Sequence, residues 1–335
     1  NSVVLGNSTQ LIKDHFGRTF TYLRLALNEQ CNLRCVYCMP EEGISFQRKK
    51  QLLTKDEIFR LLTIVTKLGV SKVRFTGGEP LLRKDISELI SFAKNLAGIK
   101  SVHLTTNGLL LEDYLNELES AGLTGINISL DTLKADRFKK ITRRKGFRQV
   151  LKGLELTLKS TIKLVKLNVV VMRGFNSDEL LDFAKLTIDN NITVRFIELM
   201  PFDSRQIWKT GKFYRAKQIV EYLHSCTSLQ PAEGTNTEHY SFKMEGARGK
   251  IAVIPAYSRN LCGACNRIRI TADGKLLNCL FSQKEINLRD SMRLGVSDKK
   301  IKSIIQESFF KKHRDGWAAQ QSIGTSRESM TQIGG

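Results

Sequence analysis

From about Thr21 to about Leu199 the apolar positions follow two alternating rhythms. Short β-rich runs (TYLRLAL, KVRFT, SVHLTT, INISLD, VKLNVVVM and VRFIEL) alternate with stretches such as TKDEIFRLLTIVTKLG and DISELISFAKNLAG, where apolar residues recur every three or four positions. The first rhythm is that of strands and the second that of amphipathic helices. The first helical stretch opens at Thr54 with Glu57 three residues on, a capping box, and Gly69 follows as its C-cap. Roughly six such units predict a parallel sheet with helices outside it. Six are too few for a closed eight-stranded barrel but fit a partial one, with catalytic groups expected at the carboxyl ends of the strands.

After Pro201 the rhythm breaks. The segment DSRQIWKTGKF reads as a linker. Beyond it come a helix over about Ala216–His224, short strands including KIAVI, RIRIT and KLLNCLF, and a helix near Ile301–Phe309. The stretch from about Gly316 to Gly335 is polar with little periodicity, which by default means a frayed tail. The expected layout is an N-terminal arm over 1–20, a partial barrel over 21–200, a smaller α+β domain over 201–320 covering the barrel's open side, and a tail over 321–335 ending in Gly334-Gly335. No repeat beyond the βα period and no low-complexity tract is present.

With 335 residues, 41% of them hydrophobic and 26% charged, the chain has material for a sizeable core. No apolar run approaches the length of a membrane-crossing helix. The opening NSVVLGNSTQ lacks the pattern of a secretory signal, and the absence of an initial Met is compatible with a removed leader or a cut boundary. The net charge of +20 suits an anionic partner such as nucleotide, RNA or acidic protein. Individual basic runs, Arg143-Arg144-Lys145 or Lys311-Lys312, read first as solvated surface, so charge alone does not select nucleic acid.

The seven cysteines narrow the chemistry. Cys31, Cys35 and Cys38 are spaced C-x3-C-x2-C, and Cys262, Cys265 and Cys279 are spaced C-x2-C-x13-C. Cys226, in IVEYLHSC, reads as a buried core thiol. An odd count, tight spacings and no secretion signal favour metal or cluster ligation over disulfides. Three thiolates are one ligand short of a closed four-iron cluster or a closed zinc site. A four-iron cluster held this way keeps one iron open. A zinc loop with a remote fourth ligand is the alternative at the first set; a zinc knuckle or a closed auxiliary cluster is the alternative at the second. The first set directly follows the first strand, and none of the five His lies near it.

Two other features carry chemistry. The second strand ends in Phe75-Thr76-Gly77-Gly78-Glu79-Pro80, where paired glycines allow close approach of backbone to a ligand and Glu79 offers an acceptor for an ammonium. Arg267 and Arg269 alternate along a predicted strand and so share a face. Two guanidiniums beside an open iron suit a polyphosphate; ordinary exposed strand arginines are the plainer alternative. There is no Walker loop, so nucleotide binding would not mean a GTPase.

CNLRCVYC together with GGEP resembles the radical S-adenosylmethionine superfamily. The resemblance implies a partial (β/α)6 TIM-like barrel, a [4Fe–4S] cluster on three cysteines, and S-adenosylmethionine chelated by the fourth iron and cleaved to a 5′-deoxyadenosyl radical. Within that superfamily, FGR…YLR, CNLRCVYCMP, TGGEPLLR, TTNG, NISLDTL, VRFIELMP, CGACNRIRITADG with CLF, and the terminal double glycine are similar to the GTP 3′,8-cyclase family of molybdenum cofactor biosynthesis, from about Phe16 to Gly335. This closer resemblance implies two [4Fe–4S] clusters, on Cys31, Cys35 and Cys38 and on Cys262, Cys265 and Cys279. It implies S-adenosylmethionine contacts from Tyr37, Gly78, Ser129, Met200 and Asn107, and GTP contacts from Arg24, Arg74, Thr105, Lys166, Arg267 and Arg269. Arg267, Arg269, Gly334 and Gly335 would assist catalysis, the last two through a tail reaching the active site. The implied reaction is that of a lyase, turning GTP into 3′,8-cyclo-7,8-dihydro-GTP. The implied partners are GTP, an external one-electron donor and a downstream pyranopterin monophosphate synthase. A homodimer is compatible, and neither membrane nor nucleic acid is required. The implied compartment is the cytoplasm of a bacterium or the mitochondrial matrix of a eukaryote. Ala26-Leu27-Asn28-Glu29 departs from the more polar run of relatives, and the stretch after Pro201 matches weakly. Two rivals are a peptide-modifying radical enzyme with an auxiliary cluster and a metal-bound nucleic-acid module.

Overall fold

The computed structural model describes residues 11–200, 211–234, 240–258, 261–321, 327 and 329–334. Six parallel strands, β1 (Tyr22–Ala26), β2 (Lys72–Thr76), β3 (Ser101–Thr106), β4 (Gly125–Ser129), β5 (Leu164–Val171) and β6 (Ile192–Glu198), alternate with six helices. These are α1 (Lys55–Thr66), α2 (Ile86–Asn95), α3 (Leu111–Ser120), α4 (Ala135–Thr142), α5 (Phe147–Lys159) and α6 (Leu180–Asp189). The capping box forms: Thr54 Oγ1 accepts from the Glu57 N–H at 3.2 Å, and the Glu57 carboxylate accepts from the Thr54 N–H at 2.9 Å. Gly69 takes a φ of +88°, which lets the chain leave α1 and turn into β2.

The remaining elements are α7 (Ala216–Cys226), β7 (Leu229–Pro231), β8 (Tyr240–Met244), β9 (Lys250–Ile254), β10 (Arg267–Ile270), β11 (Lys275–Leu277), β12 (Ile286–Asn287), α8 (Leu288–Arg293), α9 (Asp298–Phe310) and α10 (Gly316–Gln320). The expected partial barrel is present as an open sheet. The C-terminal region is α+β as expected, but its strands extend the barrel sheet at both edges instead of forming a sheet of their own. The order is β12-β11-β10-β1-β2-β3-β4-β5-β6-β9-β8-β7. Strand β10 runs parallel to β1, with Arg269 opposite Arg24, and β9 runs parallel to β6. The run KLLNCLF is a strand only to Leu277, so Cys279 lies in the turn beyond it.

Inward and outward faces follow from the pleat. On β5, Val165, Leu167, Val169 and Val171 are buried in the helix layer, and Lys166, Asn168 and Val170 alternate with them. The arm is held down by Ile12 and Phe20, both fully buried, with the Phe20 ring 4.5 Å from that of Phe309 on α9. Cys226 is exposed, not buried: it ends α7 beyond the stripe that Ile219 and Leu223 turn to the core. The linker residues 201–210 lie outside the described residues.

Candidate active site

The first three cysteines sit in a loop that leaves the carboxyl end of β1 and is braced on every side. Gly78 donates to the Asn28 carbonyl at 2.9 Å and Glu79 to that of Gln30 at 2.7 Å. A Cβ at Gly78 would lie 2.0 Å from the Gln30 oxygen, and one at Gly77, where φ is +138°, 2.5 Å from the Asn28 oxygen. The close approach these glycines permit is therefore to the chain's own segment before Cys31. Glu79 is engaged inside the fold. It is fully buried and accepts from the N–H groups of Leu81 (3.0 Å) and Asn107 (2.7 Å) and from Thr106 Oγ1 (2.8 Å), clamping the ends of β2 and β3. Burial raises its carboxyl to about 7 against those three bonds.

Other groups fix the same loop. Asn107 donates to Asn32 Oδ1 at 2.7 Å and lies 3.7 Å from Cys31 Sγ. Tyr37 donates to Asp131 at 2.6 Å. Arg143, expected on the solvated surface, takes a left-handed φ of +55° and donates to the carbonyls of Arg34 and Met39. Burial pushes the Cys31 thiol up to about 12 and the Cys35 thiol well above its ordinary value. Thiols so buried ionise only against a strong positive charge, as a cluster supplies. No cysteine is in a disulfide. Among the described residues no three His, Cys, Asp or Glu side chains converge on a single-ion site.

The second set forms at the other end of the strands. Cys262 and Cys265 precede β10, and Cys279 follows the antiparallel β11, so the hairpin returns it to them. Arg18, itself ion-paired to Asp14 at 2.5 Å, donates to the carbonyls of Cys262, His313 and Arg314, each at 2.8 Å. Burial opposes ionisation of Cys265, yet Lys312 and Arg267 hold its thiol below the ordinary value. Lys312, the other basic residue expected in solvent, is buried and donates to the Asn278 carbonyl. The two cysteine sets therefore do not both lie at carboxyl ends of strands. One set follows β1 and the other precedes its parallel neighbour β10.

A cavity of about 370 Å³ joins the two, lined by all six of these cysteines. Tyr37, Gly78, Asn107, Ser129 and Met200 line it, as do Arg24, Arg74, Thr105, Arg267 and Arg269. Lys166 and Gly334 are not among the lining residues, and Gly335 lies outside the described residues. Register places Arg269, Arg24, Arg74 and His103 in one row across β10, β1, β2 and β3. Burial and the neighbouring guanidinium of Arg267 lower Arg269 to about 10, and burial with Arg269 holds Arg24 well below its ordinary value. Burial alone would raise the Tyr22 hydroxyl, but Arg74, Arg24, Lys72 and Arg267 bring it to about 8. Nε of Arg74 and of Arg267 and Nη1 of Arg269 are buried without hydrogen-bond partners. Buried unpaired donors among crowded positive charges define a site for an anion.

Sequence reasoning missed several lining residues: Arg18, Tyr22, Asn127, Asn168 and Arg195. Arg195 donates to Asn168 Oδ1 at 2.9 and 2.5 Å. For three of them the signal was present, since Asn127, Asn168 and Arg195 each stand between buried apolar strand neighbours, as Asn127 does between Ile126 and Ile128. A polar residue inside a sheet buried on both faces points to a cavity.

The tail is not frayed where it is described. Arg327 pairs with Glu285 at 2.6 Å, Asp273 at 3.3 Å and Glu29 at 3.7 Å, all nearly buried. Ser329 Oγ donates to the Cys38 carbonyl at 2.8 Å. The Gly334 carbonyl accepts from Thr76 Oγ1 at 3.1 Å and from Arg24 Nη2 at 3.3 Å. Glu29 thus helps anchor the tail.

Residues 26–187 match the Radical SAM superfamily and residues 192–316 match Molybdenum Cofactor Synthesis C. The chain is 44% identical to the GTP 3′,8-cyclase of Chlorobaculum tepidum over 97% of both chains. It is 40% identical to the mitochondrial GTP 3′,8-cyclase of Arabidopsis thaliana, over 98% of this chain and 84% of that one. Against molybdenum cofactor biosynthesis protein 1 of Homo sapiens it is 44% identical over 90% of its length, and spans about half (48%) of that longer relative. The fold is shared with Streptococcus suis SuiB bound to precursor peptide SuiA, at a TM-score of 0.60 and 17% identity over 88% of this chain and 67% of that one. No described helix is long and apolar enough to cross a membrane. An open parallel sheet with a cysteine loop at one end and a buried anion site along it thus coincides with extended sequence identity, and the chain belongs to the radical S-adenosylmethionine superfamily and, within it, to the GTP 3′,8-cyclase family.

Proposed function

We propose that this chain catalyses the first step of molybdenum cofactor biosynthesis, the conversion of GTP to 3′,8-cyclo-7,8-dihydro-GTP, using two [4Fe–4S] clusters. The observation that carries this reading is the arrangement of two incomplete cysteine sets at opposite ends of one cavity, with a row of guanidiniums between them. Cys31, Cys35 and Cys38 would hold the first cluster, and Cys262, Cys265 and Cys279 the second. Bound there, a cluster with S-adenosylmethionine would supply the radical chemistry by which C3′ of GTP gives up its hydrogen and bonds to C8, the further electron coming from an external donor and the proton from solvent.

The residues of the chain prepare that step. Gly78, Ser129, Met200, Tyr37 and Asn107 receive the cofactor at the carboxyl end of the cavity. Arg24, Arg74, Arg267 and Arg269 take the triphosphate, whose negative charges satisfy donors otherwise buried unpaired. Thr105 and Lys166 add contacts from β3 and β5. The second set presents the guanine from the amino end. Gly334 and Gly335 assist catalysis, and the Gly334 carbonyl accepts from Arg24. The barrel spans 21–200 and the region beyond it supplies the second set and the tail. An external one-electron donor and a downstream pyranopterin monophosphate synthase complete the sequence of partners.

The deciding experiment is anaerobic turnover of the reconstituted protein with GTP, S-adenosylmethionine and a reductant. Both 5′-deoxyadenosine and a cyclised nucleotide are expected. Deoxyadenosine formed while GTP is untouched would keep the superfamily and sink the substrate.

A further inference from the structure

Asn127 is the least explained polar side chain in the cavity. It is 1% exposed, it lines the cavity, and neither Nδ2 nor Oδ1 has a hydrogen-bond partner. Leaving both ends of a buried amide unpaired is costly, and such a group in a native fold marks a missing partner. A phosphate would use only the donor and leave Oδ1 against negative charge. A hydroxyl both donates and accepts, and two neighbouring hydroxyls use both ends of one amide.

The register says where those hydroxyls lie. Asn127 is opposite Thr105 on one side and Lys166 on the other. One inward position toward the amino ends is the row containing His103, Arg74, Arg24 and Arg269. One inward position toward the carboxyl ends, on the same strand, is Ser129. Asn127 therefore stands between the phosphate-reading row and the cofactor side, at the level of the sugar that loses its hydrogen.

We propose that Asn127 is a specificity-determining residue that pairs with the ribose 2′- and 3′-hydroxyls of the nucleotide and holds C3′ toward the cofactor. This rests on the cyclase reading given above. The test is equilibrium binding of GTP, 2′-deoxy-GTP, 3′-deoxy-GTP and S-adenosylmethionine to the anaerobic holoenzyme, for the native chain, Asn127→Ala and Asn127→Ser. The native enzyme is expected to prefer GTP over the deoxy analogues by about tenfold, the scale of one lost neutral hydrogen bond. Asn127→Ala is expected to lose about that factor for GTP, to bind the analogues almost as before, and to keep its affinity for S-adenosylmethionine. Asn127→Ser, retaining one hydroxyl, should fall between. Without ligand, Asn127→Ala should melt no lower than the native chain, because it removes an unpaired buried group. Preference for ribose surviving in Asn127→Ala and Asn127→Ser, or equal loss of cofactor binding, would overturn the proposal while the cyclase reading stands. A native enzyme that binds no GTP would overturn both.

Discussion

Replacing Gly78 with alanine sets a methyl carbon 2.0 Å from the Gln30 carbonyl oxygen, and neither partner is a side chain that can swing away. The expected result is displacement of the segment leading into Cys31, read as lower iron content per chain after anaerobic reconstitution with the second cysteine set unaltered. His103 makes a second prediction. It is held neutral down to about 2, first by burial and then by Arg74, Lys72, Lys166 and Arg195. The unfolded chain takes up a proton near pH 6.5 that the folded chain refuses. Its contribution is therefore intact above that pH and lost as pH falls toward 2, by up to about 1.4 kcal/mol per pH unit. Denaturant titrations across pH 4–7 should show this slope in the native chain and a shallower one in His103→Gln. At this scale the sequence was legible where spacing carries the chemistry: the alternation of Arg267 and Arg269 did place both in the cavity. It was illegible at Glu79, whose role depends on N–H groups from Leu81 and Asn107 that only the folded loops bring to it.

The tail teaches the complementary lesson at the scale of an element. Ser329, Thr331 and Gln332 are polar, and polarity without periodicity reads as disorder, yet all three are buried. Their polar atoms are satisfied locally, Ser329 by the Cys38 carbonyl and Thr331 and Gln332 by Ser329 itself. Nothing in one-dimensional patterning distinguishes a buried polar strap from a solvated one. Arg327 is its anchor. Arg327→Ala leaves Glu29, Asp273 and Glu285 with Lys275 as the remaining ion-paired cation among the described residues, 3.5 Å from Asp273 and 3.3 Å from Glu285. The strap should then detach at a cost up to about 3 kcal/mol. Limited proteolysis should cut the tail faster, and turnover should fall while iron content stays level. Unchanged protease resistance would show that the anchor is elsewhere.

At the scale of the molecule, the two cysteine sets lie at opposite ends of one cavity, and the proposed function puts substrate and cofactor toward different ends of it. Arg269→Ala is expected to weaken GTP binding by about 10- to 100-fold, the range for a charge-assisted bond, with little change for S-adenosylmethionine. Isothermal titration of each ligand checks this, and equal losses would count against the division of the cavity. The six-unit barrel was legible because each βα unit is local in sequence. The pairing of β10 with β1 was not, since nothing local announces that a strand near the end of the chain will lie beside the first. That pairing also has a consequence for how the protein is made. Strand β1 leaves the ribosome well before β10, which covers its open edge, and β6 leaves before β9, which covers the other. During that interval the nascent chain carries two bare parallel edges, the geometry that invites pairing with other chains. The barrel half produced alone should accumulate as aggregate, and supplying the remaining half on a separate chain should restore soluble material only when both are synthesised together.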